Sequence, residues 1–226
     1  YWWMLGALTM TLPILAAQQA LATGWPIFWW FGPIFVFGVI PLLDVLIGAD
    51  KHNPPESIVP TLERQRYYRY IVYLATAIAY VSFGWALWIV TTRSLAWYDY
   101  MGFALSLGTA TGVSINTAHE LGHKTDRFER WLAKITLAPV AYGHFFVEHN
   151  RGHHVRVATL DDPASGRYGE SFWSFLPRTV LGSIASAWRL ERIRLARIGR
   201  SPWTWRNEVL HACLLYTSDA ADEFRG

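Results

Sequence analysis

Four stretches of this sequence, 2–21, 25–47, 70–90 and 97–117, stay apolar over about the 20 residues that a helix needs to cross a bilayer. Inside lipid a backbone has no water to bond, so such runs suit helices that satisfy their own N–H and C=O groups. The sequence therefore predicts an all-α fold, a multi-pass transmembrane helical bundle. Only Ala22, Thr23 and Gly24 separate the first two stretches, which forces an antiparallel hairpin, and the short link between the last two carries Arg93 as its only charge. The other connections are basic. Residues 48–69 contain Lys51, Arg64, Arg66 and Arg69, and the fourth stretch is followed by Lys124, Arg127, Arg130 and Lys134. Lys and Arg concentrate on the cytoplasmic side of membranes, which places these segments inside and the short links outside. Trp2, Trp3, Trp25, Trp97 and Tyr98 stand at the ends of the stretches, where interfacial aromatics sit.

Composition agrees: 52% of residues are hydrophobic and 13 are Trp. The formal charge of +3 comes from loops between apolar runs, so it is not a nucleic-acid footprint. The fourth stretch is rich in small residues (Gly102, Ala104, Ser106, Gly108, Ala110, Gly112), which predicts close helix packing. Residues 131–146 are apolar but short, and read as a buried or membrane-surface helix. Residues 177–206 alternate arginines (Arg189, Arg192, Arg194, Arg197, Arg200) with Leu190, Ile193, Leu195 and Ile198. That is a basic amphipathic helix, suited to an acidic partner or to anionic lipid. The chain opens inside an apolar run, and residues 214–226 turn abruptly small and acidic. The expected organisation is one partial membrane domain over 1–213 and a non-native tail over 214–226.

The histidines carry the chemistry. Of eight, five fall into two boxes: His119-Glu-Leu-Gly-His123-Lys124 (119–124) and Glu148-His149-Asn-Arg-Gly-His153-His154 (148–154). Residues i and i+4 share one face of an α-helix. His119/His123 and His149/His153 thus read as chelating pairs, with His154 turned about 100° from His153 toward a second metal ion. Both boxes follow the cytoplasmic ends of apolar segments, so the metal site belongs on the cytoplasmic side. Lone imidazoles on helices are usually hydrogen-bonded core residues, but two spaced pairs and an adjacent fifth make sense mainly around metal. Cys213 is the one cysteine, so the ligands are nitrogen and oxygen. Imidazole suits zinc, copper, iron and nickel, and spacing alone leaves these open.

His119-Glu120-x-x-His123 also fits the zinc-protease pattern with Glu120 as general base. A catalytic zinc would need one further protein ligand, typically a carboxylate, whereas the sequence offers three more histidines, an excess for one zinc. A haem protein would need only one or two axial histidines. A metal transporter would hold its ligands near mid-bilayer.

Three longer segments, HELGHK at 119–124, EHNRGHHVRVAT at 148–159 and DDPASGRYGESFWSFLPR at 161–178, resemble the alkane 1-monooxygenase (alkane hydroxylase) family. Pro41-Leu-Leu-Asp44, Gly48-Ala-Asp50 and Asn53-Pro54 are similar to it as well. Fatty acid desaturases or hydroxylases and xylene-type monooxygenases share the histidine spacing but not these flanking words. The resemblance implies a bacterial inner-membrane enzyme that hydroxylates the terminal methyl of medium- and long-chain n-alkanes to 1-alkanols. It implies two non-haem iron ions, O2 as co-substrate, and electrons from rubredoxin, supplied by an NADH-dependent rubredoxin reductase. His119, His123, His149, His153 and His154 would be metal ligands. An unactivated C–H bond gives acids and bases nothing to attack, so a redox metal is needed. An alkane has no polar handle, so an apolar channel must recognise it.

Small departures are Leu160-Asp161, where the family often has Pro-Glu, and Gly166-Arg-Tyr168, where Ser-Arg-Met is common. The larger one is a third histidine box and a further histidine motif, which nothing after Glu208 supplies. The chain is expected to be a fragment and inactive alone. Glu120, His144, Glu148 and Asn150 are candidates to orient the ligands, with Arg151 to tie the second box to its neighbours. His52 reads as a solvated loop residue and Asp44 as a polar residue of an apolar span or its interface. Asp162-Pro163 fits a helix N-cap followed by Pro in the first turn.

Overall fold

The computed structural model describes residues 3–48, 54–63 and 65–211. His52, Asp50, Asn53, Cys213 and the expected tail 214–226 lie outside the described residues. Within them every regular element is helical, as the apolar runs predict. The chain divides into two compact units, residues 1–117 and 118–226.

The first unit opens with α1 (Trp3–Leu8), a 3-10 turn at Thr9–Thr11, and α2 (Leu12–Thr23). Within the stretch 2–21 the described residues, from Trp3 on, are thus helical but interrupted, with Thr9 and Thr11 hydroxyls donating to carbonyls three residues back. Gly24 stops α2 in a left-handed conformation (φ 73°) that a residue without Cβ adopts cheaply. α3 (Pro26–Ile47) follows at once. Its first turn is 3-10, and a π turn at Phe35–Val39 lies between Pro33 and Pro41, each of which lacks the N–H an α-helix needs. After α4 (Val59–Glu63) come α5 (Arg66–Thr92) and α6 (Trp97–Gly122), whose last turn from Ala118 belongs to the second unit.

Among the described residues, α3 and α5 are long and apolar enough to cross a membrane, matching two of the four expected spans. The stretch 97–117 is an unbroken helix whose glycines, serines and threonines dilute its hydropathy. Those small residues have work to do. Ser106 Oγ accepts from the Gly32 N–H (3.0 Å) and donates to the Trp29 carbonyl (2.6 Å). Gly102 lies against the Trp30 ring, whereas Gly108 and Gly112 have open space where a Cβ would stand. Ala17, Ala20, Trp29, Ala86, Ile89 and Phe103 form the core among α2, α3, α5 and α6.

The second unit holds the histidines. Asp126 caps α7 (Arg127–Leu137) by accepting from the Phe128 and Glu129 N–H groups, so the helix expected over 131–146 starts earlier and ends sooner. The next helical segment joins α8 (Phe145–Glu148), a π turn (His149–His153) and α9 (His154–Arg156). The loop after it leads to α10 (Phe172–Arg197), capped by Ser171. The amphipathic helix expected over 177–206 begins five residues earlier, encloses Pro177, and ends before Gly199 (φ 64°).

Candidate metal centre

His119 lies in the last turn of α6 and His123 in the turn just after it, and their Nε2 atoms lie 2.9 Å from each other. His149 Nε2 is 3.3 Å from that of His123, and His154 Nε2 is 3.0 Å from that of His149. The ligand nitrogens of all four lie within 4.8 Å of one another. An ion held by imidazole at about 2.1 Å separates neighbouring nitrogens by about 3.0 Å at right angles and about 3.4 Å at the tetrahedral angle. The three short spacings, His119–His123, His123–His149 and His149–His154, match those edges. Without a cation, neighbouring ring nitrogens can pair only N–H to N, yet His123 and His149 each meet two other ring nitrogens, and a single N–H or lone pair serves one partner well. The donor set fits a metal.

The second box does not pair as an α-helix would pair it. His149–His153 is a π turn, in which the His154 N–H reaches the His149 carbonyl five residues back. That register puts His149 and His154, not His149 and His153, into the convergent group. His153 stands apart from the four: its ring stacks beside His149, and its Nδ1 lies 2.8 Å from Asp162 Oδ2. Asp162 is 1% exposed and caps no helix; it also accepts from the Ala164 N–H and the Ser165 hydroxyl. Burial alone would raise its carboxyl, but the bonds from Ser165, Ala164 and His153 hold it below the ordinary aspartate range.

Burial, reinforced by the positive charge its neighbours His119, His154, His123 and His153 would carry, brings His149 down to about 4. Burial also lowers His123, with His119 and His154 acting in the same direction. Both rings are therefore neutral at pH 7, the form that binds metal. Phe145 stacks on His149 and fixes its plane.

The residues expected to orient the ligands are placed differently. Glu120 is exposed and pairs with Lys124 at 2.6 Å. Asn150 donates to the Phe146 carbonyl at 2.8 Å, along its own helix. Glu148 is buried, receives Arg156, and packs so closely on Gly152 that a Cβ there would meet its carboxyl at 2.5 Å. His144 is buried edge-on against Tyr142, its Nε2 has no hydrogen-bond partner, and burial brings it to about 4. Asp44 lies exposed in the last turn of α3. Arg151 does tie the box to its surroundings, reaching Glu191 at 2.5 Å and also Glu208. Asp162 was the functional candidate that sequence reading missed, because Asp-Pro signals a turn or cap whichever side chain it later meets.

The fatty acid desaturase family model matches residues 95–220, which include both histidine boxes. The chain belongs to the fatty acid desaturase family. It is 45% identical over 215 residues to alkane 1-monooxygenase 1 of Alcanivorax borkumensis, covering 94% of this chain and 53% of that protein. An alkane 1-monooxygenase of Pseudomonas putida is also 45% identical, over 95% of this chain and 54% of its own length. The hydroxylase component of a Pseudomonas putida xylene/toluene monooxygenase is 29% identical over 109 residues, 48% of this chain and 30% of that protein. The chain thus spans about half the length of the alkane 1-monooxygenases it matches.

Proposed function

We propose that this chain is part of a membrane-bound non-haem monooxygenase that converts the terminal methyl of medium- and long-chain n-alkanes to 1-alkanols. The observation that carries the reading is the convergence of the His119, His123, His149 and His154 Nε2 atoms in a chain homologous to alkane 1-monooxygenases. In this reading those four histidines and His153 hold two non-haem iron ions, which supply the O2 reduction that an unactivated C–H bond requires. The chain's own part is to keep the imidazoles neutral and aimed. Electrons come from rubredoxin and its NADH-dependent reductase. The location is a bacterial inner membrane with four spans, and the basic segments support a cytoplasmic metal site. The domain reading of 1–213 as one partial hydroxylase unit is part of the proposal. Glu120 is exposed and paired with Lys124, which supports the monooxygenase reading over the zinc-protease pattern.

The test is a chimera in which residues 1–211 replace the matching half of an alkane 1-monooxygenase. It is assayed for iron and for 1-octanol from octane with rubredoxin, reductase and NADH. Ala at His119, His123, His149, His153 or His154 should abolish octanol and lower bound iron, while His52→Ala stays near the parent. Near-parent iron and turnover in any of the five variants, or peptide cleavage supported by zinc, overturns the reading.

A further inference from the structure

The hydrogen bonds around Asp162 have a fixed direction. The Ala158 backbone N–H, which can only donate, lies 2.9 Å from Ser165 Oγ. With that lone pair engaged, the Ser165 hydroxyl aims its proton at Asp162 Oδ2, 2.6 Å away. The Ala164 N–H donates to the other carboxylate oxygen at 3.0 Å. Asp162 therefore meets donors on every described side and acts purely as an acceptor, and its side chain is fully buried. The remaining contact, His153 Nδ1 at 2.8 Å from Oδ2, must then carry the proton on nitrogen.

From this polarity we infer that Asp162 is a positioning residue: it locks His153 as the Nδ1–H tautomer and leaves the Nε2 lone pair bare to bind a metal ion. The chain Ala158–Ser165–Asp162–His153 sets which nitrogen of His153 is the ligand, and holds the ring where the π turn has moved it out of the four-histidine group. A carboxylate that takes the far N–H of a ligating imidazole fixes its orientation and raises its basicity. The metal-binding half of the inference rests on the proposed metal reading; the tautomer does not.

Two measurements on the 226-residue chain in detergent test it. In metal-free protein at pH 8, nitrogen-15 imidazole spectra, with His153 assigned from its loss in His153→Gln, should show a protonated Nδ1 and a bare Nε2. Asp162→Asn should exchange the two: the amide oxygen stays with the Ala164 N–H and the amide nitrogen then donates to Nδ1, as amide-for-carboxylate exchange does in catalytic triads. An Nε2–H tautomer in the unsubstituted chain overturns the inference, and decides it even where Asp162→Asn does not fold. Cobalt(II) titration is the second readout. Asp162→Asn should weaken binding by about 10–100-fold and have no further effect in His153→Gln. An equal loss in both backgrounds marks Asp162 as a general fold residue and overturns its positioning role. If the tautomer is as inferred but cobalt does not bind, the metal reading fails and the tautomer assignment stands.

Discussion

At the scale of single residues, the second histidine box is held by conformations that cost free energy. Ala158 sits in the left-handed region (φ 64°), where a Cβ crowds the carbonyl, and its N–H begins the chain that ends at His153. Ala158→Gly keeps that N–H and removes the crowding. It should stabilise the metal-free chain by about 1 kcal/mol, read as a higher urea midpoint with an unchanged His153 spectrum. Protonation is the other residue-scale cost. His144 and His149 both titrate at about 4 in the folded chain against 6.5 unexposed to these surroundings. Their folded pKa values are depressed, so the unfolded state takes up protons that the folded state refuses. Metal-free stability should hold above pH 6.5 and decline as pH falls toward 4. The melting temperature should drop between pH 7 and pH 5, and should drop less in His144→Phe.

At the scale of elements, close approach is bought with glycine. Gly32 in α3 faces α6 so tightly that a Cβ would stand 2.5 Å from the Ser106 Cα, a backbone atom that cannot swing aside. Gly32→Ala should therefore destabilise the first unit by about 1–3 kcal/mol through overpacking. It should also break the hydrogen bonds that join position 32, Ser106 and Trp29, a loss visible as faster exchange of the amide at position 32. The open positions Gly108 and Gly112 serve as controls, since Ala there meets nothing within 4 Å. The π turn is an element of the same kind. One extra residue in the turn moves His154 onto the face of His149 and releases His153, so the grouping of ligands follows from helix type rather than from which histidines are present.

At the scale of the whole second unit, a buried ion network anchors the box. Arg151 from the π turn reaches Glu191 of α10, fully buried, and Glu208; Arg194 also binds Glu191, and Lys134 of α7 binds Glu208 at 2.9 Å. Removing one member leaves charge buried without its partner, which costs about 3–5 kcal/mol when no other partner remains. Arg194 and Lys134 do remain, so Arg151→Met should fall below that range, at about 1.5–3 kcal/mol for the charged hydrogen bonds lost. Urea unfolding checks this, and the same variant should bind cobalt more weakly than the parent. Arg130→Met, whose contact with Glu208 is longer at 3.6 Å, should change both much less.

Much of this was legible in the order of residues. Apolar runs with no polar backbone partners dictate helices, and a Gly24 link dictates a hairpin, because both depend on local chemistry alone. The histidine boxes point to metal for the same reason: their five imidazoles, with His144 between them, lie within 36 positions and have few other uses. Helix periodicity correctly joined His119 to His123. At His149–His153 the structure has a π turn in place of the α-helical register that periodicity assumes, and Arg151 within that turn reaches Glu191, 40 residues on. Asp162 reaches His153 through a loop with no repeating period, so no spacing rule could pair them. Glu120 and Asn150 are candidate ligand supports by adjacency; in the structure Glu120 pairs with Lys124 and Asn150 donates to the Phe146 carbonyl. Local sequence decided which side chains could hold a metal. The tertiary structure decided which nitrogens meet, because that depends on the register and direction of elements that only packing sets.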